Sequence, residues 1–422
     1  SENFSPNHRF GFFPSIAVGY VVSNEKFFEP IRDVVSMVKL KASYGLVGND
    51  QIGGDRRFIY NETVIGGGKY YFGTTPSQYT SVRLGEFPNP NVGWEKAKKF
   101  NLGADLSFFN QLNISVDYFK ENREGIFLQR KSIPMYVGLS TKPWVNIGKM
   151  RNSGIDASLE YHQPLGKDLH LTVRGNFTYA RNRIMDQDEP DYAYTYMNHS
   201  GQMQWQKFGL VAAGLFQDQE DIDSWAKQSF GEVKPGDIKY LDLNGDGIVD
   251  NYDTKPIGYS DIPEIVYGFG FSLQWKAFDL SAFFQGVAHV SFSTLTDQTQ
   301  AFVGRNLKES SVFADLYGNT WTPENPGAKY PRMTTGAIDN NNQLSTFWMA
   351  NGRYLRLKNL ELGYTLPKRI ANKIAMQSLR VYLSGVNLFT FSPFKLWDPD
   401  LQTGATNYPN NRIINLGLTI GF

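Results

Sequence analysis

The sequence predicts an all-β chain: a transmembrane antiparallel β-barrel, present in part as about thirteen strands, with long extracellular loops. Three observations carry this. Runs of about ten or more residues alternate apolar and polar side chains with period two. The links between the runs are short and long by turns, the pattern of an outer-membrane barrel. The final run, Ile414, Leu416, Leu418, Ile420 and Phe422, stops on an aromatic, the form in which such barrels present their last strand.

The runs lie near 8–22, 36–48, 57–72, 96–109, 111–128, 150–163, 168–183, 205–217, 263–275, 277–292, 352–364, 378–390 and 412–422. Leu102, Ala104, Leu106 and Phe108 alternate with Gly103, Asp105, Ser107 and Phe109. Leu112, Ile114, Val116 and Tyr118 then alternate with Asn113, Ser115, Asp117 and Phe119, so Asn110-Gln111 reads as a tight hairpin. Pro164-Leu-Gly-Lys167 and Trp275-Lys276 are further short links. The long links are 184–204, 218–262, 293–351 and 391–411. Phe10, Phe12, Phe13 and Tyr20 near the first run, with Phe389 and Phe391 near the twelfth, fit interfacial girdles. A propeller would show a repeat of about 40–50 residues, which is missing, and a soluble sandwich uses strands of about 5–6 residues.

Composition narrows the function. Aromatic residues make up 15% of the 422 residues, and charged residues only 20%, below the roughly 25% of soluble domains. Lys and Arg total 42 against 41 Asp and Glu, so bulk charge does not support nucleic-acid binding. The absence of Cys excludes disulfides, thiolate nucleophiles and Cys-ligated zinc. No stretch approaches the roughly 18 apolar residues of a spanning helix. A mean hydropathy of −0.38 still suits a barrel, whose lipid face is hidden in alternate positions. Ser1-Glu2-Asn3 does not open a leader peptide, and the chain reads as a processed or truncated product.

Several stretches, in order, carry a likeness to one family. They are Asn91-Val-Gly-Trp94-Glu95 running to Asn101-Leu-Gly103-Ala-Asp105, and Val145-Asn-Ile-Gly148 running to Asn152-Ser-Gly154. Gly214-Leu-Phe216-Gln217 and Lys234-Pro-Gly236-Asp237-Ile-Lys-Tyr240 follow. Tyr354-Leu-Arg356-Leu-Lys-Asn359 to Gly363-Tyr364, and Leu383-Ser-Gly-Val-Asn387-Leu-Phe389, complete the set. Together they resemble the SusC/RagA-type TonB-dependent transporters of Bacteroidetes. The resemblance implies a bacterial outer-membrane location and energised import of a nutrient too large for porins, an oligosaccharide or an oligopeptide. It implies a SusD-like surface lipoprotein lid, a TonB complex acting through a plug domain, and leaves room for a dimer of transporter–lid pairs. The family's plug and first strands do not match anything here. Large plugged barrels close with about 22 strands, and an open sheet would leave two bare edges in lipid. Residues 1–422 are therefore expected to be the C-terminal part of the barrel, completed by an N-terminal plug and barrel part and surrounded by outer-membrane lipid. A membrane-embedded barrel enzyme of lipase or protease type and a passive porin are the alternatives.

Two candidate sites follow from residue type and spacing. Asp242-x-Asn244-x-Asp246-Gly247-Ile248-x-Asp250-x-x-Asp253 places side-chain oxygens, and the Ile248 carbonyl, at the ligand positions of an EF-hand loop. The expected ion is Ca²⁺, with Mg²⁺ as the smaller alternative; Asp253 stands where a longer Glu is usual, and a metal-free Asp/Asn/Gly turn is the competing reading. The second candidate is aromatic: Tyr192, Tyr194, Tyr196 and Trp205 in one loop, near His199, and Tyr70 and Tyr71, beside Phe72, in another. Such rings stack on sugars, but also form girdles, loop cores and lid contacts; Trp144, Trp321 and Trp348 are scattered. No catalytic constellation emerges. His8, His162, His170, His199 and His289 are dispersed, and Gly66-Gly-Gly-Lys69 lacks the remaining P-loop residues. Asp218, Glu220, Asp221 and Asp223 read as a solvated loop face, and Arg56-Arg57 and Lys98-Lys99 as rim charges near lipid headgroups.

Overall fold

The computed structural model describes residues 1–422 except 53–55, 75–76, 140, 297–298, 301–311, 375 and 405–406. Part of the expected long link 293–351 thus lies outside the described residues. One antiparallel sheet of eleven strands dominates, each strand paired with the next in sequence. The wall strands are β1 (Ser15–Val21), β2 (Val35–Asn49), β3 (Glu95–Phe108), β4 (Leu112–Gln129), β5 (Trp144–Pro164) and β6 (Leu169–Asp186). They continue as β7 (Ile265–Trp275), β8 (Phe278–Ala288), β9 (Tyr354–Thr365), β10 (Ser378–Phe391) and β11 (Ile413–Gly421). β1 and β11 are the two edges of this sheet.

Two of the expected thirteen runs do not enter the wall. In 57–72, Val64–Phe72 pairs with Ser77–Leu84 as a separate hairpin, while β2 pairs directly with β3. Alternation alone cannot separate a wall strand from a hairpin in a loop. In 205–217 the apolar residues are nearly consecutive, and Leu210, Leu215 and Phe216 are buried in a packed lobe. Only the short strands Phe208–Gly209 and Ala212–Leu215 form there. The tight turns also sit one residue from their expected positions. Phe109 and Asn110 both adopt positive φ (53° and 52°), and the Gln111 amide donates to the Phe108 carbonyl at 2.9 Å. That is the geometry of a type I′ turn. Likewise β7 and β8 are joined through Lys276-Ala277.

Period two gives the wall two unlike faces. Cross-strand rungs such as Leu40, Ala104, Val116, Ala157 and Phe177 turn outward. Water-accessible apolar residues run along this face, including Leu102, Val116, Phe271, Leu383 and Leu416. Such a face is stable against hydrocarbon. The opposite face carries charged rungs. Lys41 Nζ lies 2.8 Å from Asp105 and 3.3 Å from Asp117, Arg174 2.8 Å from Glu160, and Arg380 2.5 Å from both Asp279 and Glu361. Val116→Arg should therefore cost about 2–4 kcal/mol and lower the yield of assembled barrel, whereas Ser158→Arg on the inner face should not. Heat-modifiable migration on gels checks both.

The links alternate by end. At one end they are 22–34, 109–111, 165–168, 276–277 and 366–377; at the other, 50–94, 130–143, 187–264, 289–353 and 392–412. The loops of the second end are not loose. Leu210, Leu215, Ile238, Tyr240 and Val249 from 187–264 share one core with Leu316, Trp321, Tyr330 and Trp348 from 289–353. A second core joins Phe4, Ile52, Ile59 and Val92 to Phe127 of β4. Among the described residues no helix is long and apolar enough to cross a membrane.

Candidate functional site

The loop lobe at the long-link end is held by a few polar staples. Asp237 has no solvent exposure. It accepts both arms of the Arg332 fork (2.7 and 3.0 Å), Nδ2 of Asn341 (2.9 Å) and the Lys234 amide (2.8 Å), tying 187–264 to 289–353. Gly236 beside it has φ +88°, and a Cβ there would lie 2.4 Å from the Trp321 ring. Arg356, 2% exposed in β9, donates to Asp398 at 2.5 Å, Asp400 at 2.7 Å and Thr390 at 3.0 Å. The Tyr354 hydroxyl also donates to Asp400. This clamp fastens loop 392–412 to the wall.

Several residues of the quoted stretches act in the same way. Asn146 donates to the carbonyls of Gly93 (3.0 Å) and Gly125 (2.9 Å) and accepts the Gly93 amide (3.0 Å). Glu95 accepts Asn49 at 2.9 Å and the Phe127 amide at 3.2 Å. Asn387 takes φ +54°, which Asn tolerates, and donates to the Asn411 carbonyl at 3.0 Å. These side chains fix where the loops leave the wall.

The 242–253 loop is closed by its own backbone. Asp242 accepts the amides of Gly245 (2.7 Å) and Gly247 (2.8 Å), Asn244 that of Asp246 (2.9 Å), and Asp246 that of Ile248 (2.8 Å). Asp250 accepts the Tyr252 amide at 2.7 Å. Asp253 is fully buried, with its oxygens on the amides of Leu243 (2.7 Å) and Asp250 (2.8 Å). Burial opposes ionisation of Asp242, but the surrounding amides outweigh it and hold its carboxyl below the ordinary range. The donor chemistry suits a hard cation. As the loop stands, though, no three acidic or His side chains converge on one point among the described residues.

Of the candidate aromatics, Tyr194 and Tyr196 come together, joined by Tyr252 of the acidic loop. Tyr194 and Tyr196 stack at 5.4 Å, and Tyr252 meets Tyr194 edge-on at 6.2 Å. The Tyr196 hydroxyl donates to the Tyr252 carbonyl at 2.7 Å, linking this loop to the acidic one. Tyr192 packs on His199, which stacks on Phe208 at 4.0 Å; burial among these rings lowers the His199 pKa. Trp205 is 58% exposed and has no ring partner among the described residues. Tyr70 and Tyr71 sit on the exposed 64–84 hairpin, Tyr70 stacked on Phe72 at 6.5 Å. Among the described residues no ring pair joins them to the Tyr194 group.

The remaining charges resolve into roles the sequence did not assign. Asp218 caps the helix Gln219–Asp223, and Asp221 pairs with Lys239 at 3.0 Å. Arg56 pairs with Glu86 at 3.2 Å and lies 4.2 Å over the Trp144 ring, so Arg56 belongs to a loop core rather than to a lipid rim. Arg57 lies 3.8 Å from Glu2 in the same loop region. Lys99 points inward to Glu121 at 3.2 Å, and only Lys98 faces outward. Asp188 was missed altogether. Burial opposes its ionisation, yet the Ser132 amide and hydroxyl, the Lys131 amide and Arg130 lower its pKa to about 2.

The comparisons agree with this architecture. The family model described as TonB dependent receptor-like, beta-barrel matches residues 1–388. TonB-dependent receptor P3 of Formosa agariphila is 30% identical, over 100% of this chain and 43% of its own length. TonB-dependent receptor SusC of Bacteroides thetaiotaomicron is 26% identical, over 100% and 41%. The chain thus spans less than half the length of these curated relatives. The solved RagAB peptide importer in its open-open state superposes with a TM-score of 0.77 at 23% identity, over 100% of this chain and 44% of that one, a likeness of fold. The wall of eleven strands, its two faces and the match over residues 1–388 together place the chain in the TonB-dependent receptor-like β-barrel family.

Proposed function

We propose that this chain is the C-terminal wall and loop lobe of an outer-membrane importer for a large nutrient, an oligosaccharide or an oligopeptide. The carrying observation is the two-faced wall: apolar outward, charged inward, and topped by a packed lobe. The similar proteins are named as receptors and transporters, so the proposed role is transport rather than catalysis. The free edges of β1 and β11 favour completion by further strands, because unpaired strand amides are costly in lipid. An N-terminal plug and barrel part of the same transporter would supply them, and would couple to a TonB complex. The lobe at the long-link end is the proposed seat of a SusD-like lipoprotein lid, and a dimer of transporter–lid pairs belongs to the same reading. The Tyr192–Tyr196 group and, separately, Trp205 and Tyr70–Tyr71 are the proposed contacts for cargo.

The test is uptake by cells that carry or lack the full-length gene, with labelled oligosaccharides and oligopeptides of graded length. Loss of uptake of one class on deletion, and equal loss without TonB, is expected. Uptake that persists without TonB would point to a passive porin.

For the 242–253 loop we propose a weak Ca²⁺ site, with Mg²⁺ the lesser ligand. Asp242, Asn244, Asp246, Asp250 and the Ile248 carbonyl would supply oxygens; Asp253 is least free to turn, being held by amides. Calorimetric titration of the full-length protein should give a Kd of about 10⁻⁴–10⁻³ M, lost in Asp246→Ala. No heat and no protease protection by Ca²⁺ would refute it.

A further inference from the structure

The outward face of the wall is uncharged across its middle, but not at the long-link end of β3–β6. There, Lys98, Asn122, Arg151 and Arg183 form one rung across four adjacent strands. The next rung towards the middle holds Tyr44, Phe100, Lys120, Ser153 and Arg181. Below it lie Ala42, Leu102, Tyr118, Ile155 and Tyr179, with no charge. Strands lie roughly 4.8 Å apart, so five cations occupy a patch only a few strands wide.

Acidic partners do not neutralise it. Lys98 pairs with Glu124 at 3.0 Å and Arg181 with Glu264 at 3.1 Å. Among the described residues Arg151 bonds to Asn122 alone (3.0 Å), and Arg183 to the Gly201 carbonyl (2.8 Å). Lys120 has no ion pair or side-chain hydrogen bond among the described residues. Elsewhere along this end Ile265, Ala288, Leu355, Phe389 and Ile414 are apolar, and one cation, Arg412, lies over the Phe389 ring at 5.8 Å. The patch is therefore local, not a general property of the rim.

A groove runs down from the patch, lined by Lys98, Lys120 and Asn122 above and Tyr44, Phe100 and Tyr118 below. Phe100 and Tyr118 meet edge-on at 6.5 Å. Cations at headgroup height over aromatic rings at the hydrocarbon boundary match one ligand class. We propose that this groove binds a phosphate-bearing lipid of the leaflet on the long-link side. Its phosphates meet Lys98, Lys120, Arg151 and Arg183, and an acyl chain lies along the rings. The lysine stems reach the headgroup while covering apolar wall.

This inference rests on the outer-membrane reading above, and the experiment separates the two. The tagged full-length transporter is first located by density-gradient fractionation; recovery outside the outer membrane overturns that reading. Detergent-purified, delipidated protein is then titrated with bis-phosphorylated lipid A by native mass spectrometry. Lys98→Gln/Lys120→Gln/Arg151→Gln/Arg183→Gln should retain the lipid about 80-fold less well, and lipid A stripped of phosphate should bind wild type as weakly. Single Lys120→Gln, which breaks no existing pair, should weaken retention about threefold and is decisive if the quadruple variant does not assemble. Undiminished retention by these variants, or equal binding of the dephosphorylated lipid, overturns the inference. So does displacement by inorganic phosphate alone, which would mark a small-anion site.

Discussion

Replacing Arg356 by alanine should destabilise the wall–loop junction by about 3–5 kcal/mol, the usual result of removing one member of a buried ionic cluster. The substitution strands Asp398 and Asp400 beside each other; among the described residues Asn410 (3.1 Å to each), the Tyr354 hydroxyl on Asp400 and the Asp400 amide on Asp398 (3.0 Å) are the remaining donors. Loop 392–412 should then lift from β9 and β10, and protease should cut within it at rates that leave wild type intact. Arg356→Lys should recover little, because a single ammonium cannot span two carboxylates and Thr390 as the fork does. The wall itself should still form, since β9 keeps its ladders to β8 and β10. Unchanged protease resistance in Arg356→Ala would refute the clamp.

That clamp also shows where sequence reading stops. Period two exposes β4 or β7 directly, because one face must suit lipid and the other water. The same signal placed 57–72 in the wall, although its partner is the strand Ser77–Leu84, and a short window holds no information about pairing. The link after β3 was legible from Asn110, but Phe109 shares the left-handed conformation, which a bulky residue does not advertise. The quoted stretches around Trp94, Asn146 and Asn387 were recognisable as patterns. Their physical task, stapling loops to strands, appeared only with their partners. Arg356 meets carboxylates 42 and 44 residues away, and Asp237 an arginine 95 away. No local periodicity links such pairs. The aromatic series Tyr192, Tyr194 and Tyr196 was visible at once, whereas its alliance with Tyr252 depends on a fold between distant turns.

Asp237→Ala should have the other large effect, about 3–5 kcal/mol within the lobe, because it leaves the Arg332 fork and the Asn341 amide without their acceptor in a closed core. The loss falls on one seam. Ile238 and Tyr240 from one insertion pack with Trp321 and Tyr330 from the other, and Asp237 is the buried charge that sets their register. The two insertions should open together, seen as faster hydrogen exchange over 234–241 and 328–346 with β3–β6 unchanged. Asp237→Asn keeps one acceptor and should fall between alanine and wild type. A double-mutant cycle with Arg332→Ala separates the pair from packing: the double variant should cost less than the two single losses added. If the losses simply add, the staple is not the seam. If the wall strands exchange faster as well, the lobe is not a unit that can loosen while the barrel stands.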